Sequence, residues 1–138
     1  MIKLAVLPSL FGASLLATTS AQACAPDGAV ELTSSQEAPF QTYAVLGLET
    51  ISKPFEIDLY FCGDGIEKID RIKVDAIMPA HQHGMNYTPE ISGIEPGIFQ
   101  VLGMFFHMPG MWELQVSTHS TSETNAQSYL FTLDISAR

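Results

Sequence analysis

The sequence reads as an all-β chain, folded as an immunoglobulin-like antiparallel β-sandwich of about seven strands. Three observations point there. Short runs of β-type residues recur at intervals of about ten residues, separated by turn residues. The clearest runs alternate apolar and polar residues with a period of two, the signature of a strand buried on one face. No amphipathic helical pattern occurs after residue 23.

The elements follow in order. Residues 24–39 (CAPDGAVELTSSQEAP) are polar and rich in turn formers, so they read as an extended N-terminal arm with one short strand. A less regular strand is expected near 40-FQTYAVLG-47. In 55-FEIDLYF-61, Phe55, Ile57, Leu59 and Phe61 share one face, and Cys62 falls on the other, where a crossing arm could meet it. The tract 62-CGDG-65 is a tight turn of the Asp-Gly kind. Next comes 69-IDRIKVDAIM-78, with Ile72, Val74, Ala76 and Met78 in phase and Pro79 as its stop. Three further strands are expected at 98-IFQVLGMFF-106, 111-MWELQVS-117 and 128-SYLFTLDI-135. Trp112, Leu114 and Val116 should point inward on a central strand. In the last strand Tyr129, Phe131, Leu133 and Ile135 share a face. The polar tract 118-THSTSETNAQ-127 reads as a hairpin loop.

Residues 1–23 have the pattern of a secretory signal peptide. Lys3 supplies the positive start, an apolar stretch runs to about Leu16, and Ala21-Gln22-Ala23 is a cleavage site. The apolar run is too short to span a membrane, and no later segment is long enough. One domain, residues 24–138, is expected in the periplasm or an equivalent exported compartment. The chain has 6 Lys+Arg against 15 Asp+Glu, a net charge of −9. Such acidity excludes nucleic acid and anionic membrane surfaces as partners, because both require basic patches.

Both cysteines, Cys24 and Cys62, survive cleavage, and in an oxidising compartment a pair is most simply a disulfide. Two rivals are weaker. A lipid anchor on Cys24 normally has Leu three residues before it, where Ala21 stands, and neither cysteine has metal-ligand spacing.

The chemistry concentrates in 78-MPAHQHGM-85 and 104-MFFHMPGM-111. Of the 6 methionines all but Met1 lie between Met78 and Met111, and 3 of the 4 histidines, His81, His83 and His107, lie in the same window. Imidazole and thioether suit copper, and thioether favours Cu(I). His81, His83 and Met85 alternate, so an extended backbone would project them to one side. His107 and Met108 precede the Pro109-Gly110 turn, at what should be the same end of a sandwich. The candidate ligands are therefore His81, His83, Met85, His107 and Met108. Zinc is second choice, since methionine is in excess and no carboxylate or thiolate partner stands nearby. A blue-copper centre requires a thiolate between its histidines, and Cys62 precedes them all. A structural reading stands beside the metal one. In it Met78 is core, Met104 and Met111 pack against Phe105, Phe106 and Trp112, and the histidines serve turns.

With 78-MPAHQHGMNYTPEI-91 and 97-GIFQVLGMFFHMPGMWELQV-116 in view, the chain resembles the YtkA-like domain family, related to FixH-type periplasmic domains. The likeness covers about residues 55–117, through an M-P-x-H-x-H-G-M turn and an F-x-M-P-G-x-W-x-L-x-V hairpin. It implies an immunoglobulin-like sandwich without enzymatic activity. It points to His81, His83, Met85, His107 and Met108, and links FixH-type members to copper supply for a respiratory oxidase. Unlike those members, this chain is expected to lack a membrane anchor.

No phosphate loop, nucleophile elbow or H-E-x-x-H helix occurs, so no enzyme is expected. Two functions remain: copper binding for delivery or buffering, or an accessory interaction domain of an envelope or respiratory complex whose His/Met turns are structural.

Overall fold

The computed structural model describes residues 24–34, 37–47, 51–120 and 127–135. The signal peptide expected over residues 1–23 lies outside the described residues, as do 121–126 of the expected hairpin loop. Nine strands are present among the described residues: β1 (Val30–Ser34), β2 (Gln41–Leu46), β3 (Pro54–Cys62), β4 (Ile69–Met78), β5 (His83–Gly84), β6 (Glu90–Glu95), β7 (Ile98–Phe105), β8 (Gly110–Ser120) and β9 (Gln127–Ile135). All the pairings are antiparallel, in one hydrogen-bonded sheet of order β5-β4-β8-β9-β1-β2-β3-β7-β6. The sheet is curled into a half-barrel.

The curl has its joint at β1. Val30, Glu31 and Leu32 pair with β2, whereas Thr33 and Ser34 pair with β9. A single short strand thus hydrogen-bonds to both halves and turns one towards the other. The concave faces meet through aromatic contacts. Phe61 of β3 lies edge-on to Tyr129 of β9 at 5.8 Å between centroids, and Phe106 stacks on Trp112 of β8 at 4.6 Å. These side chains are 2% exposed or less, so the core is dry where the halves touch.

Most expected strands form as their alternation requires. Phe55, Ile57, Leu59 and Phe61 are buried, as are Ile72, Val74, Ala76 and Met78. Trp112, Leu114 and Val116 point into the core. Tyr129, Leu133 and Ile135 are buried, with Phe131 packed against them at partial exposure.

The differences have physical reasons. There are nine strands rather than about seven, because β5 and β6 carry no alternation to read. β5 has two residues, and β6 (90-EISGIE-95) lies at the sheet edge with only Ile91 not fully open to solvent. Its two glutamates suit an edge, where charge discourages pairing with a further strand. β8 runs on to Ser120, so Thr118 and His119 belong to a strand: Thr118 is buried and His119 stands opposite Arg71.

β7 does not alternate throughout. Phe99 and Val101 face the core, then Met104 and Phe106, so the phase shifts by one residue at Gly103. The register confirms a bulge: Phe55 pairs with Met104 and Glu56 with Leu102, leaving Gly103 unopposed at φ +80°. Gly97, at φ +77°, has its missing Cβ position 2.9 Å from the Phe61 carbonyl oxygen and 3.1 Å from Ile66.

Cys24 is bonded to Cys62, tying the arm to the end of β3 across 38 residues. Cys62 is on the opposite face from Phe61 yet is buried. In the chain-entropy account, closing such a loop contributes about 3–4 kcal/mol.

Two outcomes are expected in urea unfolding. Reduction, or Cys24→Ser with Cys62→Ser, should lower the unfolding free energy by about 3–4 kcal/mol. Gly103→Ala should cost about 1–2 kcal/mol, from the left-handed backbone alone. Gly97→Ala should cost more, since its methyl would also press on the Phe61 carbonyl oxygen.

Candidate metal centre

The motif 78-MPAHQHGM-85 folds as a hairpin rather than an extended run. The Met78 carbonyl accepts the His81 N–H at 3.1 Å, and Gln82 adopts φ +54°. His83 then pairs with Met78, and the Met85 N–H donates to the Ala76 carbonyl at 3.1 Å. The expected alternation of His81, His83 and Met85 along one strand is therefore broken by the turn. His81 is exposed at its tip, and His83 is half-buried on β5. Being paired with inward-facing Met78, His83 shares its face. One step beyond the last β4–β8 pair, Ile77 with Glu113, Met78 stands beside Trp112, and Trp112 pairs with Leu133. His83, Met78, Trp112 and Leu133 thus form a row across the concave face.

The second motif runs from the end of β7, in the other half of the sheet, into β8, the neighbour of β4. β7 ends at Phe105, and the Phe106 carbonyl accepts the Ser52 N–H at 2.8 Å, which fixes the backbone just before His107. The Trp112 indole N–H donates to the Met108 carbonyl at 3.0 Å, closing the 108–112 turn on itself.

The histidines of the two motifs lie near one another. The His83 and His107 rings are 5.3 Å apart between centroids with planes 29° from parallel, and the His81 and His83 rings are 5.8 Å apart. Trp112 lies beneath, nearly perpendicular to both His107 (5.5 Å, 79°) and His83 (6.2 Å, 75°). With a metal–nitrogen bond of about 2.0 Å, two imidazoles on one ion have centroids about 5–6.5 Å apart. Both measured spacings fall in that range. The orientation differs, because the His83 and His107 rings face each other rather than sharing a point between their nitrogens. Accordingly, no three His, Cys, Asp or Glu side chains among the described residues form a ready-made metal group. Rotation of an imidazole about its own bonds is the adjustment that binding would require.

One polar atom bears on the fit. His107 Nδ1 is buried and has no hydrogen-bond partner. A buried nitrogen left unbonded costs free energy, and such atoms in native proteins call for a partner of some kind.

The methionines divide. Met78 and Met104 are core, at 1% and 0% exposure, and the Met78 methyl lies 2.8 Å from where a Cβ of Gly110 would be. Met111, expected to pack against the aromatics, is instead 49% exposed, on the strand face opposite Trp112. Met85 and Met108 are half-buried against the core. Met85 packs against the core and lines a cavity of about 310 Å³ whose wall is mixed, with Ile72, Val74 and Ile91 beside Lys73, Asp75 and Asn86. Trp112 and Phe106, which floor the site, carried a readable signal: they flank the Pro109-Gly110 turn within one motif.

Comparison with protein families, curated proteins and solved structures returns no match to this chain.

Met78→Ala should lower stability by about 2–5 kcal/mol, the usual cost of emptying a core position. Met111→Ala should change it by less than about 0.5 kcal/mol. Chemical denaturation of the two variants separates core methionine from surface methionine.

Proposed function

We propose that this protein is an exported copper-binding domain that buffers or delivers the metal as Cu(I), without catalysing a reaction. The observation that supports it best is the proximity of the His83 and His107 rings, 5.3 Å apart, with a buried nitrogen on His107 that has no hydrogen-bond partner. His81 lies close enough to His83 to serve as a third, exposed ligand through which the ion enters. Met85 and Met108, both packed against the core, carry soft sulfur in the same two motifs and stay in the candidate set on that ground. The acidic composition suits a cation carrier, and the leader-like N-terminus supports export to the periplasm or an equivalent compartment. The immunoglobulin-like sandwich belongs to this proposal too: a strand that changes partners between two facing halves is how such a sandwich turns its corner. YtkA-like membership fits the same reading.

A second reading has its own support. Tyr87, Ile94 and Met111 are apolar side chains with about half their surface in solvent. They suit an accessory domain that contacts an envelope or respiratory-complex protein, with the histidines structural.

Titration of the purified protein with Cu(I) against a competing chelator distinguishes the two. One equivalent should bind tighter than micromolar, and His81→Ala with His83→Ala should weaken it by at least tenfold. Weak binding, or binding unchanged in the double variant, refutes the copper reading and leaves the interaction domain.

A further inference from the structure

The sheet ends on two open edges that face each other across a pair of cavities. β6 is the last strand and pairs with β7 alone, while β4 is covered on its outer side only at Ile77 and Met78. Each cavity is lined from both strands: one of about 310 Å³ beside Ile91, and one of about 360 Å³ beside Gly93, Ile94 and Glu95. We infer that β6 takes up an extended, basic segment of another protein as an added strand, with alternate side chains of that segment entering the two cavities. The inference rests on the interaction reading, not on the copper one, and gives it a place and a ligand chemistry.

The backbone supplies the affinity. Alternate residues of an edge strand turn their N–H and C=O groups away from their neighbour, and an extended peptide satisfies them. On β4 the Asp75 carboxylate already accepts the Ala76 N–H at 2.8 Å. Among the described residues no side chain hydrogen-bonds to β6. Ile94, which the ladder to β7 skips, leaves an apolar side chain 58% exposed beside this edge.

Charge then selects the occupant. β6 reads 90-EISGIE-95, a near palindrome with a glutamate at each end. A second copy pairing antiparallel about its centre would set Glu90 of each copy against Glu95 of the other, and like charges directly opposite destabilise a strand pair. A basic strand gains where a second copy loses. The cavity at the Glu95 end carries Glu67 and Asp70 as well, and no Lys or Arg among the described residues lines it. The cavity at the Ile91 end has an apolar share, with Ile72, Val74 and Pro89, and one charge of each sign in Lys73 and Asp75.

Ile91 and Gly93 are two positions apart, about 7 Å along a strand, which is the spacing of side chains on one face of a docked segment. The segment that fits has an apolar residue and a Lys or Arg two positions apart.

The probe is a capped synthetic peptide, Thr-Thr-Val-Thr-Lys-Thr-Thr, added to the isotope-labelled protein. Backbone NMR shifts should move along β6 and at the two cavities. Replacing the peptide Lys by Glu should weaken binding by about tenfold. Of the two alternate sets of peptide amides, N-methylating the one that faces β6 should abolish binding and N-methylating the other should leave it. In the Glu67→Lys, Asp70→Lys double variant, with circular dichroism confirming the sheet, the preference should reverse to the Glu peptide. Shifts confined to the strand face that carries Met111 would overturn the inference and leave the interaction reading standing. No binding, or equal binding of the Lys and Glu peptides or of both methylated ones, would overturn it as well. A wild-type dimer whose shifts on dilution map to β6 would assign the edge to a second copy, with the same consequence.

Discussion

β1 has five residues and divides its hydrogen bonds between two neighbours. That division is the constraint from which the rest of the structure follows. A strand that bonded to β2 along its whole length would leave β9 as a free edge, and the sheet would have no corner. Because the pairing changes after Leu32, β1 joins the two halves into one curled sheet, and Phe61 of one half reaches Tyr129 of the other. Phe61 of β3 meets Tyr129 of β9 across this corner, while Phe106 and Trp112 stack locally on either side of the β7–β8 turn.

The β7–β8 connection assembles the histidines. His83 hangs from β4, and His107 stands between β7 and β8, the neighbour of β4. They are 24 positions apart in sequence, and the pairing of β4 with β8 carries their rings to 5.3 Å. The candidate site is a property of the fold rather than of either motif. This explains why neither short stretch, taken alone, distinguishes a ligand set from a pair of turns.

Much of the fold was legible because a half-buried strand writes itself into the chain as alternation. β3 and β4 show this well. β6 could not be read, since an edge strand with both faces largely in water and Gly93 in its middle has nothing to alternate. The Gly103 bulge was hidden for a related reason: 98-IFQVLGMFF-106 is apolar almost throughout, so a one-residue change of phase leaves no mark. At the site, residue identity was readable but backbone path was not. His-x-His suggested an extended strand, whereas the left-handed Gln82 turns the chain between the two rings. Met78 declared itself as core by continuing its strand's phase, and the alternation of 111-MWELQVS-117, with Trp112, Leu114 and Val116 inward, already put Met111 on the outer face where it is found. The Cys24–Cys62 bond followed from compartment and count, and the arm that covers Cys62 is where that reasoning put it.

The two sides of the histidine pair are not equally fastened. His107 is anchored through Phe106, which is buried and whose carbonyl is bonded to Ser52. His83 sits on β5, a ladder of two residues held to β4 alone. Opening a ladder that short disturbs almost none of the core, so it belongs to the low end of local unfolding free energies. The halves of the sheet can stay shut while β5 peels away and re-forms. A cargo gripped between these two rings would therefore leave by the loosening of one hairpin, on a timescale set by that hairpin and not by the lifetime of the fold.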